Sequence, residues 1–224
     1  MSNADSNVDA ATQPQFFSSD LCSGSDSQSS GDSDVRFKLY ISNAQKWWKV
    51  DILLNALSAL NSPVSISGKS SGDTDTPVVY NTDHNRVEVS SSSFLTPFGF
   101  RRALARGLVY AFDNARGNLD YTNVDHVSCT SIRALNISGE CDLWAKWLDY
   151  FGEDPLGKEM YSMKQRCIRK KVEEQMLLKS AHSGEAIRES IDRVWERCFR
   201  DHWPFTTEPH MDTRFRDSPM KRTA

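Results

Sequence analysis

One run constrains the fold more than any other: TPFGFRRALARGLVYAFDNA, residues 96–115. Phe100, Leu104, Leu108 and Phe112 stand four apart, which lays them along one stripe of a helix that other elements must cover. Gly107 interrupts this run near its centre. A glycine inside a helix costs about 1 kcal/mol relative to alanine, so its presence predicts close approach of another backbone there. The chain is expected to fold around this helix, with its packing partners supplied from both sides in sequence.

Upstream, AQKWWKVDILLNALSAL (44–60) repeats Trp47, Val50, Leu53, Leu54 and Leu57 at helical spacing, and Asn61-Ser62-Pro63 stops it. PVSIS and PVVYN are short β-type runs, separated by the turn-rich GKSSGDTDT. HNRVEVSS alternates Val87 and Val89 with polar neighbours, as a half-buried strand does. Downstream, NVDHVSCTSIRALNI (123–137) predicts a helix closed by Ser138-Gly139. CDLWAKWLDYF continues with an aromatic helical face, and MKQRCIRKKVEEQMLLKSA and GEAIRESIDRVWERCFRDH predict two further amphipathic helices. In the last, Ile187, Ile191, Val194, Trp195, Cys198 and Phe199 share a face. The expected class is α+β: a small antiparallel sheet of two or three strands with several helices, and no internal repeat.

The ends differ in character from the middle. The first 34 residues are rich in Ser, Asp and Gly, and no Lys or Arg precedes Arg36. Such a segment buries too little apolar surface to offset chain entropy, so residues 1–34 are expected to be a disordered tail, residues 35–210 the folded domain, and residues 211–224 an irregular arm. The tail is the opposite of an Arg-rich matrix presequence and lacks the apolar stretch of a secretory signal. No run approaches the roughly 18–20 apolar residues of a membrane-spanning helix.

Formal net charge is −3, so no overall basic excess argues for nucleic acid. The local exception is RCIRKKVEE, read as a solvated helical face, with a docking surface for RNA or acidic lipid as the sharper alternative. Six tryptophans are many for this length. Most are expected in the core, while Trp48 and Trp203, which adjoin polar stretches, are candidates to anchor a partner.

Candidate chemistry is sparse. A zinc protease built on a helix needs two histidines at i and i+4, so that both imidazoles meet one ion, and a glutamate beside the first to polarise the bound water. No HExxH occurs in this chain. His84, His126, His182, His202 and His210 are scattered, and no two have that spacing. His202 and His210, which flank two prolines, are the only pair with a reading as a shared ion site. Cys22 falls in the tail. Cys129, Cys141, Cys167 and Cys198 fall in the domain without a Cys-x-x-Cys pair, and they make two disulfides in an oxidising compartment or four thiols in a reducing one.

Several of these runs together resemble a known family. Arg106-Gly107-Leu108-Val109-Tyr110-Ala111-Phe112-Asp113, followed by Arg116, Asp120 and Tyr121, is similar to a His-Glu-Leu-Ile-His-Ala-Phe-Asp motif followed by Arg and Asp-Trp. His126 and SCTSIRALNISGEC (128–141), RCIRKKV around Cys167 and VWERCFRDHWPF (194–205) continue the likeness. The family is the mitochondrial inner-membrane metalloproteases that process a membrane subunit of ATP synthase and chaperone its assembly, the Atp-twenty-three family. The resemblance runs from about residue 44 to 210 and implies a zincin-like scaffold. Four cysteines match family cysteines, which marks Cys129, Cys141, Cys167 and Cys198 as candidate disulfide cysteines. An earlier family pair, expected near residues 66–76, is missing.

The departures fall on the chemistry. Arg106 and Tyr110 stand where the family has its zinc histidines, Gly107 where it has the catalytic Glu, and Ser131 where it has a Glu that is a candidate third ligand. A guanidinium is a permanent cation and does not ligate zinc. The resemblance therefore implies a kept scaffold with no catalytic and no metal residues, the scaffold positions being Asp113, Arg116, Asp120, His126 and Arg133. Arg106 is expected to pair with Asp113, Asp120 or Glu140 in the vacated space, or to snorkel to water, and Tyr110 to bury its ring where a metal was. Arg116 is expected to pair with Asp120 one helical turn on, and His126, beside Asp125, to play a structural part.

In function the resemblance implies an inactive, metalloprotease-like assembly factor, chaperone or structural subunit of a mitochondrial complex, with no cofactor. The rival readings are an active zinc metalloendopeptidase that processes a mitochondrial inner-membrane protein, and an RNA-associated mitochondrial factor. The implied partner is a mitochondrial protein or complex, reached from the periphery of the inner membrane. The implied location is the intermembrane space or the inner-membrane surface, with the matrix as the alternative in which the cysteines stay reduced.

Overall fold

The chain is described by a computed structural model over residues 29–68, 77–90, 96–117, 119–142, 157–179, 182–207 and 209. Residues 1–28 of the expected tail, the aromatic run from residue 143, and the arm, residues 211–224, lie outside the described residues, as do Cys22, Trp144, Trp147 and His210.

The elements follow in the order α1 (Ser29–Gln45), α2 (Trp48–Ala59), β1 (Ser65–Gly68), β2 (Val78–Asn81), β3 (Arg86–Val89), α3 (Pro97–Gly117), α4 (Val124–Ser138), α5 (Gly157–Lys179) and α6 (Gly184–Arg200). Helix α1 begins at Ser29, six residues inside the segment expected to be tail. Its C-terminal half is anchored by buried Tyr40 and Ala44, and once a helix is nucleated by packing, propagation carries it through residues of modest propensity. The helix expected over 44–60 is split. Trp47 leaves the helical region at φ −81 and ψ 124, and α2 starts after it. The break turns Trp47 and Trp48 around Lys49, whose ammonium lies 5.4 and 5.7 Å from their ring centres. Lys49 is fully buried and donates to the Ile137 carbonyl at 2.8 Å in the last turn of α4. A lysine inside an apolar helix face thus satisfies a carbonyl that a helix end leaves open.

The sheet has three strands in the order β1-β3-β2. The antiparallel expectation holds for β2 and β3, which pair from Val78↔Val89 to Asn81↔Arg86. It fails for β1, which runs parallel to β3 from Ser65↔Arg86 to Gly68↔Val89. The short turn after Asn81 forces β2 and β3 into a hairpin, whereas β1 lies on the other side of β3 and runs with it. Strand β2 is therefore an edge.

Helix α3 lies at the centre, as its stripe required: Phe100, Leu104 and Leu108 are fully buried and Phe112 is 1% exposed. Helices α1 and α2 and the sheet cover it on one side. A second apolar cluster joins α4, α5 and α6 through Ile132, Leu135, Ile168, Ile187 and Trp195. Helix α4 ends at Gly139, whose φ of 72 is the left-handed conformation that lets the chain turn away. Two disulfides fasten the second cluster. Cys129–Cys198 joins α4 to α6, and Cys141–Cys167 joins the end of α4 to α5. This is one of the three connectivities four cysteines allow.

Candidate functional site

Gly107 faces the sheet, not a neighbouring backbone. A β-carbon placed on it meets Val87 Cγ1 at 2.6 Å and Val78 Cγ2 at 2.8 Å. Both valines are stiff side chains held by the β2–β3 pairing, so the space a glutamate needs at this point is filled. The expected close approach is real, but the approaching atoms are side-chain methyls.

On either side of Gly107 the other substituted positions have found partners. Of the three carboxylates open to it, Arg106 takes Glu140, with Nη1 3.0 Å from Oε1. Lys171 of α5 reaches the same carboxylate at 3.4 Å. Tyr110 lies one turn on from Arg106, and its hydroxyl shares a 2.8 Å hydrogen bond with Ser131 Oγ on α4. Two positions that the resemblance assigns to metal ligands therefore bind each other. Burial pushes the Tyr110 phenol above its ordinary value despite the Ser131 hydrogen bond and the nearby Arg106 charge, so it stays neutral. The donor set of a cation, a bare α-carbon, a neutral phenol and an alcohol does not fit zinc, which takes imidazole, thiolate or carboxylate. Among the described residues no group of three or more His, Cys, Asp or Glu side chains is placed to hold a metal ion.

Beside this cluster lies a cavity of about 560 Å³. Its lining includes Pro77, Val78, Val79 and Tyr80 of the β2 edge, Arg106, Gly107 and Tyr110 of α3, Ser131 of α4 and Met176 of α5. Among the described residues no strand pairs with the outer side of β2, which lines this cavity. Ser90 donates to the Pro77 carbonyl at 3.1 Å, in register with the ladder. In an antiparallel pair the hydrogen-bonded residues alternate, so Val79 and Asn81 turn their backbone groups to β3. Val78 and Tyr80 turn theirs outward.

One turn beyond Tyr110 the seam between α3 and α4 closes. Asp113 is buried and accepts from Thr130 Oγ1 at 2.8 Å. Arg133, also buried, pairs with Asp113 and with Asp201, whose Oδ2 lies 3.1 Å from its Nε. It also donates to the Asp201 carbonyl at 3.0 Å and to the Trp203 carbonyl. Desolvation brings the Arg133 guanidinium down to about 10 against the pull of Asp201, so it remains cationic at neutral pH. Asn136 donates to the Phe199 carbonyl at 2.9 Å and lies 3.3 Å from His202 Nε2. The segment after α6 is thereby stitched to α4, which leaves Trp203 56% exposed on the surface, while Trp48 packs edge-on against Phe205.

One expected contact is replaced. Arg116 does not pair with Asp120. It reaches Asp201 at 2.9 Å and Asp113 at 3.6 Å, because the network at the closed end offers two carboxylates. Asp120 instead accepts from Thr122, by its amide at 2.9 Å and its hydroxyl at 2.6 Å, which holds its carboxyl below the usual range. His126 is exposed, and its Nδ1 accepts from the Asp120 amide at 3.3 Å; its neighbour Asp125 pairs with Arg193. His202 sits in the Asn136 network, and its proposed companion His210 lies outside the described residues. The basic segment is largely matched by acid: Lys164 meets Asp142, Arg169 meets Asp192, Lys170 meets Glu174 and Lys171 meets Glu140. Tyr121, Val124, Met176 and His182 complete the cavity wall. Nothing in their spacing brings them together, since they come from the α3–α4 connection, α4, α5 and the α5–α6 connection.

A model of the Peptidase M76 family matches residues 38–206. Among curated proteins, the chain is similar to the mitochondrial inner membrane protease ATP23 homolog of Homo sapiens, 33% identical over 114 residues, which are 50% of this chain and 44% of that protein. The homolog of Xenopus laevis is 36% identical over 110 residues, 49% of this chain and 44% of that protein. Mitochondrial inner membrane protease ATP23 of Candida albicans is 34% identical over 106 residues, 46% of this chain and 41% of that protein. The chain thus spans less than half the length of the curated relatives it matches. No solved structure matches it. The family match extends from α1 to the segment stitched onto α4 and takes in the whole α+β, zincin-like frame around α3, so this chain belongs to the Peptidase M76 family.

Proposed function

We propose that this chain is a non-hydrolytic member of its family that holds an extended segment of a partner polypeptide along β2. In this reading it serves as an assembly factor, chaperone or structural subunit for a mitochondrial inner-membrane complex, with ATP synthase assembly as the role the resemblance suggests. One observation carries the reading. The cavity beside the edge strand is open, while the positions that would hold a metal and a general base are spent on the Arg106–Glu140 pair, the Tyr110–Ser131 bond and the valine packing at Gly107. Outward backbone groups at Val78 and Tyr80 suit pairing with another extended chain. Holding a segment needs no metal, so this part of the family's work survives the substitutions. Two disulfides favour an oxidising compartment such as the intermembrane space. No described helix is long and apolar enough to cross a membrane, and a peripheral position at the inner membrane is part of the proposal.

The test has two arms on the full-length chain. Zinc analysis after exposure to zinc and dialysis is expected to find no stoichiometric ion, and a general protein substrate is expected to stay intact. Photo-cross-linking from position 79 in intact mitochondria is expected to trap one defined partner, with much less adduct from a probe at exposed Lys170. Stoichiometric zinc with chelator-sensitive cleavage overturns the proposal, and so does equal cross-linking from both positions.

A further inference from the structure

We infer that the partner segment seats one large, uncharged apolar side chain in the cavity, against the surface that replaced the metal site. This rests on the reading of the cleft as a polypeptide site and adds what that site selects. The floor is sealed, because Val78 and Val87 pack onto the bare Gly107; a guest therefore rests on methyl groups. The walls include Tyr110, Tyr121, Val124, Val127 and Met176 beside the polar Ser131, Gln175 and His182, and the rings, branched carbons and thioether of the first five match an aromatic or long aliphatic guest. Among the described wall residues Arg106 is the one permanent cation, and it already has Glu140 at 3.0 Å, so an acidic guest gains no unmatched charge from it.

Tyr121 stands at the mouth with 42% of its surface exposed, an apolar area that an incoming side chain would cover. Three phenols gather here, and burial together with the proximity of Tyr80 and Tyr110 pushes Tyr121 well above its ordinary value. The wall therefore carries neutral hydroxyls. The cavity, about 560 Å³, accepts one such side chain with room for its neighbours, and the outward backbone of Val78 and Tyr80 fixes the extended direction from which it enters.

The probe is a set of short Ser/Thr-rich peptides that differ only at a central residue (Phe, Trp, Leu, Ala, Asp or Lys). Binding is measured by fluorescence anisotropy on the oxidised full chain. The Phe and Trp peptides are expected to bind about tenfold or more tighter than the Ala, Asp and Lys peptides, the scale of burying a large apolar side chain. Tyr121→Asp is expected to erase that preference, bringing the Phe and Trp peptides to the affinity of the Ala peptide on the same variant. Tyr121 is half exposed, so its replacement should leave the melting temperature near that of the parent, and circular dichroism checks this. Equal affinity for every central residue overturns the apolar anchor but leaves the cleft as a polypeptide site. Tightest binding by the Asp peptide overturns it in favour of Arg106 as the receptor. Absence of binding by all the peptides removes both readings.

Discussion

The seam between α3 and α4 is closed at the end near Asp113 and open at the end near Arg106. At the closed end Asp113, Thr130, Arg133 and Asp201 pair with one another, and Arg133 has no exposed side-chain surface. At the open end Arg106, Tyr110 and Ser131 also have partners, but they line a cavity that water reaches. Each end has its own disulfide, Cys129–Cys198 beside Thr130 and Cys141–Cys167 beside Glu140. Of the residues that the resemblance assigns to the frame, Asp113, Arg116 and Arg133 are at the closed end, and the substituted ones are at the open end. Buried charge explains the difference. A desolvated carboxylate such as Asp113 cannot lose its cation without a large penalty, whereas groups at the edge of a cavity can be exchanged for others that also reach water.

That contrast is open to measurement. Arg133→Ala should have the largest effect, a loss of about 3–5 kcal/mol in denaturant unfolding, because it strands buried Asp113. A loss under about 1 kcal/mol would remove the distinction between the two ends. A smaller effect is expected at acid pH. Burial alone would raise the Asp201 carboxyl, but the hydrogen bond from Arg116 and the charges of Arg133 and Arg116 outweigh it and hold the group below the usual range. A depressed carboxyl contributes stability above its unfolded value of about 4 and loses it as pH falls through the native value. The melting temperature of the parent should therefore hold down to about pH 5 and fall below about pH 4, and Asp201→Asn should flatten that limb.

At the open end, Gly107→Glu tests whether the lost base can return. The new side chain must displace Val78 and Val87, which should cost about 1–3 kcal/mol as overpacking, with no gain of peptide cleavage. An unchanged melting temperature would show that the sheet yields there. Tyr110→Phe should matter least. It removes one hydrogen bond, about 0.5–1.5 kcal/mol, and the effect should lie near the lower limit because water can serve Ser131 through the cavity. A loss as large as that of Arg133→Ala would mean that the open end is as closed as its counterpart.

Much of the frame was legible in the chain. The four-residue spacing from Phe100 to Phe112 placed α3 in the core, and Ser138-Gly139 marked the end of α4 within a residue, because helix period and cap chemistry are local. The partner of Arg116 was not legible, since Asp201 lies 85 residues away and competes with a carboxylate only one turn distant. The parallel pairing of β1 was missed for a similar reason: strand order depends on how a connection crosses the sheet.

The sequence by itself determined which side chains stand at positions 106, 107, 110 and 131, and that no helical pair of histidines is present to grip an ion. Those are matters of side-chain chemistry, and no fold alters them. Only the tertiary structure decided that Glu140 neutralises Arg106, that valines fill the place of a missing carboxylate, and that Tyr121, Met176 and the β2 edge enclose a cavity. These contacts join residues far apart in sequence, and their partners are chosen by the packing of α3 against the sheet and α4, which no local pattern encodes.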